Sequence, residues 1–152
     1  MPSGKIGKVN FKEPLSAKIL QIIEVGTDNY VFLKKNTGLV VYNSVSGVVE
    51  NIQDDNFGEI NSIIVNKDEL LLLKPGGVYS IKIKNLLSKN YKINQIAKLK
   101  DGAFIQQTIF KETILVADNA LGLLTFKSSG DNSFIQTLFG FSVDNVKGKF
   151  NT

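Results

Sequence analysis

Three stretches of this chain can be laid over one another, and that repetition limits the fold more than any other feature of the sequence. They are Asp28 to Asn43, Asp68 to Lys82 and Glu112 to Lys127. Each reads as a short apolar run, a polar turn, and a glycine that opens a second apolar run. The glycines are Gly38, Gly77 and Gly122, 39 and 45 residues apart. A strand-like run leads each unit, over Ala17 to Glu24, Glu59 to Val65 and Ala103 to Phe110. Another trails it, over Gly47 to Gln53, Tyr91 to Leu99 and Ser133 to Phe139. The units therefore occupy roughly 17–53, 59–99 and 103–140.

Four short strands per unit, with turn residues every 8–12 positions, read as an all-β protein. Turns are expected at Thr27-Asp28, Ser46-Gly47, Lys67-Asp68, Gly76-Gly77 and Ser129-Gly130. No window carries a sustained 3.6-residue period, and only Lys84 to Lys89 leaves room for a single helical turn. A four-stranded repeat of about 40 residues has the period of a β-propeller blade. Leu70 to Leu73 is apolar on both faces, as a strand enclosed between two sheets must be.

Closed propellers contain about 4–8 blades, and 152 residues hold three. The expected architecture is a single β-propeller-type segment over 1–152, an incomplete ring or a fragment of one. Its end blades would each turn an apolar face and an unpaired edge to water, and such surfaces recruit partners. Val9 and Phe11 at one end, with Phe139, Phe141, Val143, Val146 and Phe150 at the other, are the candidate interface residues. The expected partners are other proteins or a second copy of the chain. The alternative architecture is a small closed β-barrel binding an apolar ligand, which also accommodates ten to twelve strands in about this length.

The segments Leu70 to Lys82, Glu112 to Phe126 and Asn132 to Phe139 resemble the large propeller scaffolds of one family. Its members include the large subunits of damaged-DNA-binding protein and of cleavage and polyadenylation specificity factor, and the propeller subunit of splicing factor 3b. The resemblance runs from Leu70 to Val146, about half the chain, without the Trp-Asp or Gly-His pairs of WD repeats. It implies a non-enzymatic platform holding other proteins in nuclear assemblies, and it transfers no catalytic residues.

Composition narrows the chemistry from the other side. The chain has no Cys, His or Trp, and all 18 of its basic residues are Lys. Disulfide scaffolds, the usual zinc sites, thiol nucleophiles and histidine acid–base chemistry are thereby removed. The missing Arg removes the fork that reads phosphate and guanine bidentately. Net charge is +4, and the densest lysine cluster, Lys82, Lys84, Lys89, Lys92, Lys98 and Lys100, is interrupted by apolar residues. Solvent-facing lysines that blunt strand edges explain it, so direct reading of nucleic acid is not expected.

The carboxylate pairs Asp54-Asp55 and Asp68-Glu69 fall at expected turns, where Asp serves backbone geometry. Gly76-Gly77 lacks the spacing of a phosphate loop, and Asp131-Asn132-Ser133 lacks the other ligands of a calcium loop. No enzyme activity and no cofactor are expected. No segment has the roughly 18 uninterrupted apolar residues of a membrane helix. Zero cysteines, the lack of a signal-peptide core and the lack of an Asn-x-Ser/Thr acceptor point to a nuclear or cytoplasmic protein, not a secreted one.

Overall fold

The computed structural model describes residues 18–35, 38–98, 104–110, 113–118, 122–128 and 134–139. Twelve strands form three antiparallel four-stranded sheets, each drawn from consecutive strands. The first comprises β1 (Ile19–Glu24), β2 (Asn29–Lys34), β3 (Gly38–Asn43) and β4 (Val49–Ile52). The second comprises β5 (Ser62–Asn66), β6 (Glu69–Lys74), β7 (Gly77–Lys82) and β8 (Asn94–Lys98). The third comprises β9 (Phe104–Phe110), β10 (Thr113–Asp118), β11 (Gly122–Ser128) and β12 (Phe134–Phe139). One short helix, α1 (Ile83–Leu87), follows β7 and buries Ile83 and Leu86.

The sheets coincide with the three sequence repeats and do not close on one another as a barrel. The fold is therefore all-β and propeller-like, with three blades and an open ring. The barrel alternative fails because hydrogen bonding stops at β4 and β8 instead of passing into the next sheet.

The stacking follows from how side chains alternate along the second strand of each sheet. In β6, Leu70 and Leu72 enter one apolar core with Val31, Leu33, Leu39 and Val41 of the first sheet. Leu71 and Leu73 enter a second core with Ile114 and Val116 of the third. All four leucines have 0% exposure. A run of four leucines is thus a strand wetted on neither face, as the sequence indicates.

The repeat glycines are demanded by strand crowding. Gly77 opens β7 at φ +155°, and a Cβ there would lie 2.0 Å from the Ala97 carbonyl oxygen. Gly38 opens β3 at φ +87°, and its Cβ would lie 2.8 Å from the Ile52 carbonyl oxygen. In both sheets the third strand can pair with the fourth only if its first residue lacks a side chain.

Two strand starts differ most from expectation. The second leading strand begins at Ser62 rather than Glu59, because Ile60 is spent filling the first core from a connection. The second trailing strand begins at Asn94 rather than Tyr91, because the Tyr91 ring stacks on Phe57 at 5.7 Å. Extra strands expected at the chain ends, over Lys5–Lys12 and Ser142–Phe150, fall outside the described residues.

Candidate interaction surface

Register gives each sheet a forward face, toward the next sheet in sequence, and a backward face. Second-strand residues three and five point forward, and residues two and four point backward: in β6, Leu71 and Leu73 against Leu70 and Leu72. Two faces have no neighbouring sheet among the described residues. One is the backward face of the first sheet, carrying Ile22, Tyr30, Phe32, Val40 and Tyr42. The other is the forward face of the third sheet, carrying Gln106, Thr108, Leu115, Ala117, Leu123 and Thr125.

Each face has an exposed apolar residue, and the third sheet's also exposes Gln106 and Thr108. On the first, Ile22 is 56% exposed, and Leu20, where the β1–β2 register shifts, is 47% exposed. Phe32 and Val40 on that face are already buried. Tyr42 lies 6.2 Å from both Tyr30 and Phe32, ring centre to ring centre. On the third sheet Leu123 is 36% exposed, while Leu115 and Ala117 are half-buried. Leu115 therefore does not lie between packed sheets, although it holds the same strand position as Leu71. Its neighbours Ile114 and Val116 do.

The leading strands β1, β5 and β9 run side by side along one edge of the stack, and glutamine amides tie them together. Gln21 on β1 donates from Nε2 to the Ile63 carbonyl at 2.7 Å and accepts the Ile63 N–H at 2.9 Å. Gln107 on β9 donates from Nε2 to the carbonyls of Ser62 and Leu71, each at 3.1 Å. The Gln107 Oε1 and Ser62 Oγ atoms are buried there without a hydrogen-bond partner among the described residues.

Of the candidate residues named from sequence, Phe139 ends β12, its backbone paired with Leu123. Val9, Phe11, Phe141, Val143, Val146 and Phe150 lie outside the described residues. Leu20, Ile22, Gln106 and Leu123 are surface residues that the sequence reading did not single out. The signal was present in β1, where apolar residues fall at both odd and even positions of the strand.

A cleft of about 640 Å³ opens between the β4–β5 connection and the second sheet, lined by Asp54, Asn56, Lys74, Tyr79 and Tyr91 among others. Its charges serve one another. Asp54 accepts the Asn56 backbone N–H at 2.8 Å, and that bond above all holds its carboxyl below the usual value. The Tyr91 hydroxyl bonds to Asp54, and burial more than that bond raises its pKa. Partial burial lowers Lys74, whose ammonium donates to the Asn56 carbonyl and sits 4.7 Å over the Tyr79 ring. These contacts fasten the β4–β5 connection to the second sheet.

The other sequence-marked charges are dispersed. Asp68 and Glu69 both pair with Lys82, at 3.1 and 3.2 Å, with Asp68 in a turn and Glu69 already in β6. Lys89 pairs with Glu50 at 3.2 Å, away from Lys82. Among the described residues no three acidic side chains gather as metal ligands. No described helix is long and apolar enough to cross a membrane.

No protein-family model matches the chain, and no curated protein matches it. Solved structures do. The extracellular domain of the putative hybrid two-component system BT4673 from B. thetaiotaomicron superposes with a TM-score of 0.64 at 20% identity. That match covers 82% of this chain and 17% of the other. The N-terminal domain of Nup159, a β-propeller, superposes with a TM-score of 0.54 at 12% identity. It covers 80% of this chain and 34% of the other. A chain of the S. cerevisiae assembly of dbp5 bound to nup159 and gle1 matches equally, with a TM-score of 0.54 at 13% identity.

These likenesses are of fold, and this chain spans only a fraction of each structure's length. They support a propeller and not the large-subunit scaffold family that the sequence resembles. They also correct the reading of the chain as nuclear or cytoplasmic and not secreted, because the B. thetaiotaomicron structures are extracellular domains. The inference from missing cysteines was at fault. A fold held by sheet stacking has no need of disulfides wherever it resides.

Proposed function

We propose that this chain is a non-enzymatic protein-interaction scaffold, a propeller segment whose two open end faces join it to further blades or to protein partners. One observation carries the reading. The middle sheet is packed on both faces, while Leu20, Ile22 and Leu123 stand exposed on the first and third sheets, which each have only one neighbouring sheet among the described residues. Exposed apolar patches on sheet faces are characteristic of interaction sites. The similar structures add support, since each continues well beyond the length matched here and one belongs to a multi-protein assembly. The two extracellular matches favour an extracellular setting for the segment. Phe139, beside Leu123, belongs to the proposed interface, with Val9, Phe11, Phe141, Val143, Val146 and Phe150 as its sequence-based extensions.

Binding of an apolar fluorescent dye tests the reading. The wild type should bind it, and a Leu20→Lys, Ile22→Lys, Leu123→Lys triple variant should lose most of that binding with its circular dichroism unchanged. A wild type that binds no dye, or a triple variant that binds it undiminished, contradicts open apolar end faces.

A further inference from the structure

Two polar atoms are left over at the junction between the second and third sheets. Gln107 is 2% exposed and Ser62 0%, and Gln107 Oε1 and Ser62 Oγ have no hydrogen-bond partner among the described residues. Register brings these two side chains into one place. Ser62 pairs with Leu73 and Gln107 with Val116, and residues paired directly across strands share a face. Leu73 and Val116 both belong to the core between these sheets, so Ser62 and Gln107 enter that core from opposite sides. Their closeness is direct, since Gln107 Nε2 donates to the Ser62 carbonyl.

The glutamine cannot relieve its oxygen by turning its amide over. Nε2 serves two carbonyls, those of Ser62 and Leu71, each at 3.1 Å. A flipped amide would aim Oε1 at two acceptors. Gln21 has no such remainder at the first junction, because Ile63 offers its carbonyl to Nε2 and its N–H to Oε1. A buried polar atom left unpaired costs more than a hydrogen bond ordinarily contributes, so protein interiors pair such atoms with other groups or with water.

The chemistry of the two atoms selects the occupant. Gln107 Oε1 only accepts, whereas the Ser62 hydroxyl both donates and accepts. Both are neutral, and the core they enter is built from Leu71, Leu73, Ile114 and Val116. An ion among those side chains would lack a counter-charge. We infer that one internal water molecule bridges the pair, donating to Gln107 Oε1 and accepting from the Ser62 hydroxyl. Internal waters occupy polar sites of this kind, where they satisfy buried groups that the chain itself leaves over. Gln21 thus fastens the first junction by itself, and Gln107 fastens the second together with a water.

Ser62→Ala tests the proposal through the sign of its effect. With the water in place the substitution removes a hydrogen bond, and the unfolding equilibrium constant should rise about fivefold. Unchanged or increased stability would mean that the hydroxyl has no partner, and overturns the proposal. In a Gln107→Leu background the water has lost its other anchor, so Ser62→Ala should then cost less than about twofold. An equal cost in both backgrounds also overturns it. A high-resolution crystal structure separates a bridging water from a direct contact, and it should show a water oxygen within about 3.2 Å of both atoms. A Ser62 hydroxyl bonded straight to Gln107 Oε1, or either atom paired with another protein group, overturns the bridging water.

Discussion

The second and third sheets share strand order and repeat sequence, yet the same position in each meets a different world. Leu71 and Leu115 are both the third residue of their sheet's second strand. Leu71 is sealed between two sheets; Leu115 is half-buried on a face with no sheet beyond it among the described residues. Local sequence therefore sets the strand, while the number of neighbouring blades sets what each side chain is worth. That difference is what the proposed scaffold role draws on: a middle sheet enclosed by packing and outer sheets with exposed apolar residues.

The largest effects should come from the enclosed sheet. Leu72→Asp places a charge between the first and second sheets with no partner, at a cost of several kcal/mol. Against a total stability of about 5–15 kcal/mol, the variant should lose its cooperative unfolding transition in denaturant. Gly77→Val should come next, at about 3 kcal/mol, because its Cβ collides with the Ala97 carbonyl and pushes β8 off β7. Selective loss of amide protection along β8 in hydrogen exchange would report it.

The glutamines extend the comparison to polar groups. Gln21→Leu leaves the Ile63 peptide group without either amide bond and should cost about 1–3 kcal/mol in chemical denaturation. Gln106→Leu, measured at a concentration where the chain is monomeric, should cost less than about 0.5 kcal/mol. Equal costs would mean that the two positions are not distinguished by having or lacking a neighbour.

The smallest effect is electrostatic. The Asp54 carboxyl is held below its ordinary value, chiefly by the Asn56 backbone N–H. Its contribution to stability is complete above the ordinary carboxylate value and is lost as pH falls through the lower, folded one. The unfolding midpoints of wild type and Asp54→Asn should differ at neutral pH and converge in acid.

Much of this architecture was legible in the sequence, for identifiable reasons. Gly38, Gly77 and Gly122 each open the third strand of a sheet, and the first two sit where a Cβ would strike the fourth strand. The Leu70 to Leu73 run could be read as doubly buried because no polar residue interrupts it. The surface was less legible. Gln21, Gln106 and Gln107 look alike along the chain, and only cross-strand register separates the two that grip a neighbour from the one that faces outward. The location was misread, because the absence of cysteine records how the fold is held together and not where it resides.

The paired variants Leu71→Asp and Leu115→Asp, unfolded by denaturant side by side as monomers, test the central claim most directly. Leu71→Asp should abolish the cooperative transition, because its carboxylate would sit unpaired between sheets. Leu115→Asp should retain it with a loss of about 1–2 kcal/mol, because its carboxylate can reach water across the open face. Equal loss of folding in both would show that the third sheet is covered as the second is, and that the stack has no open end there.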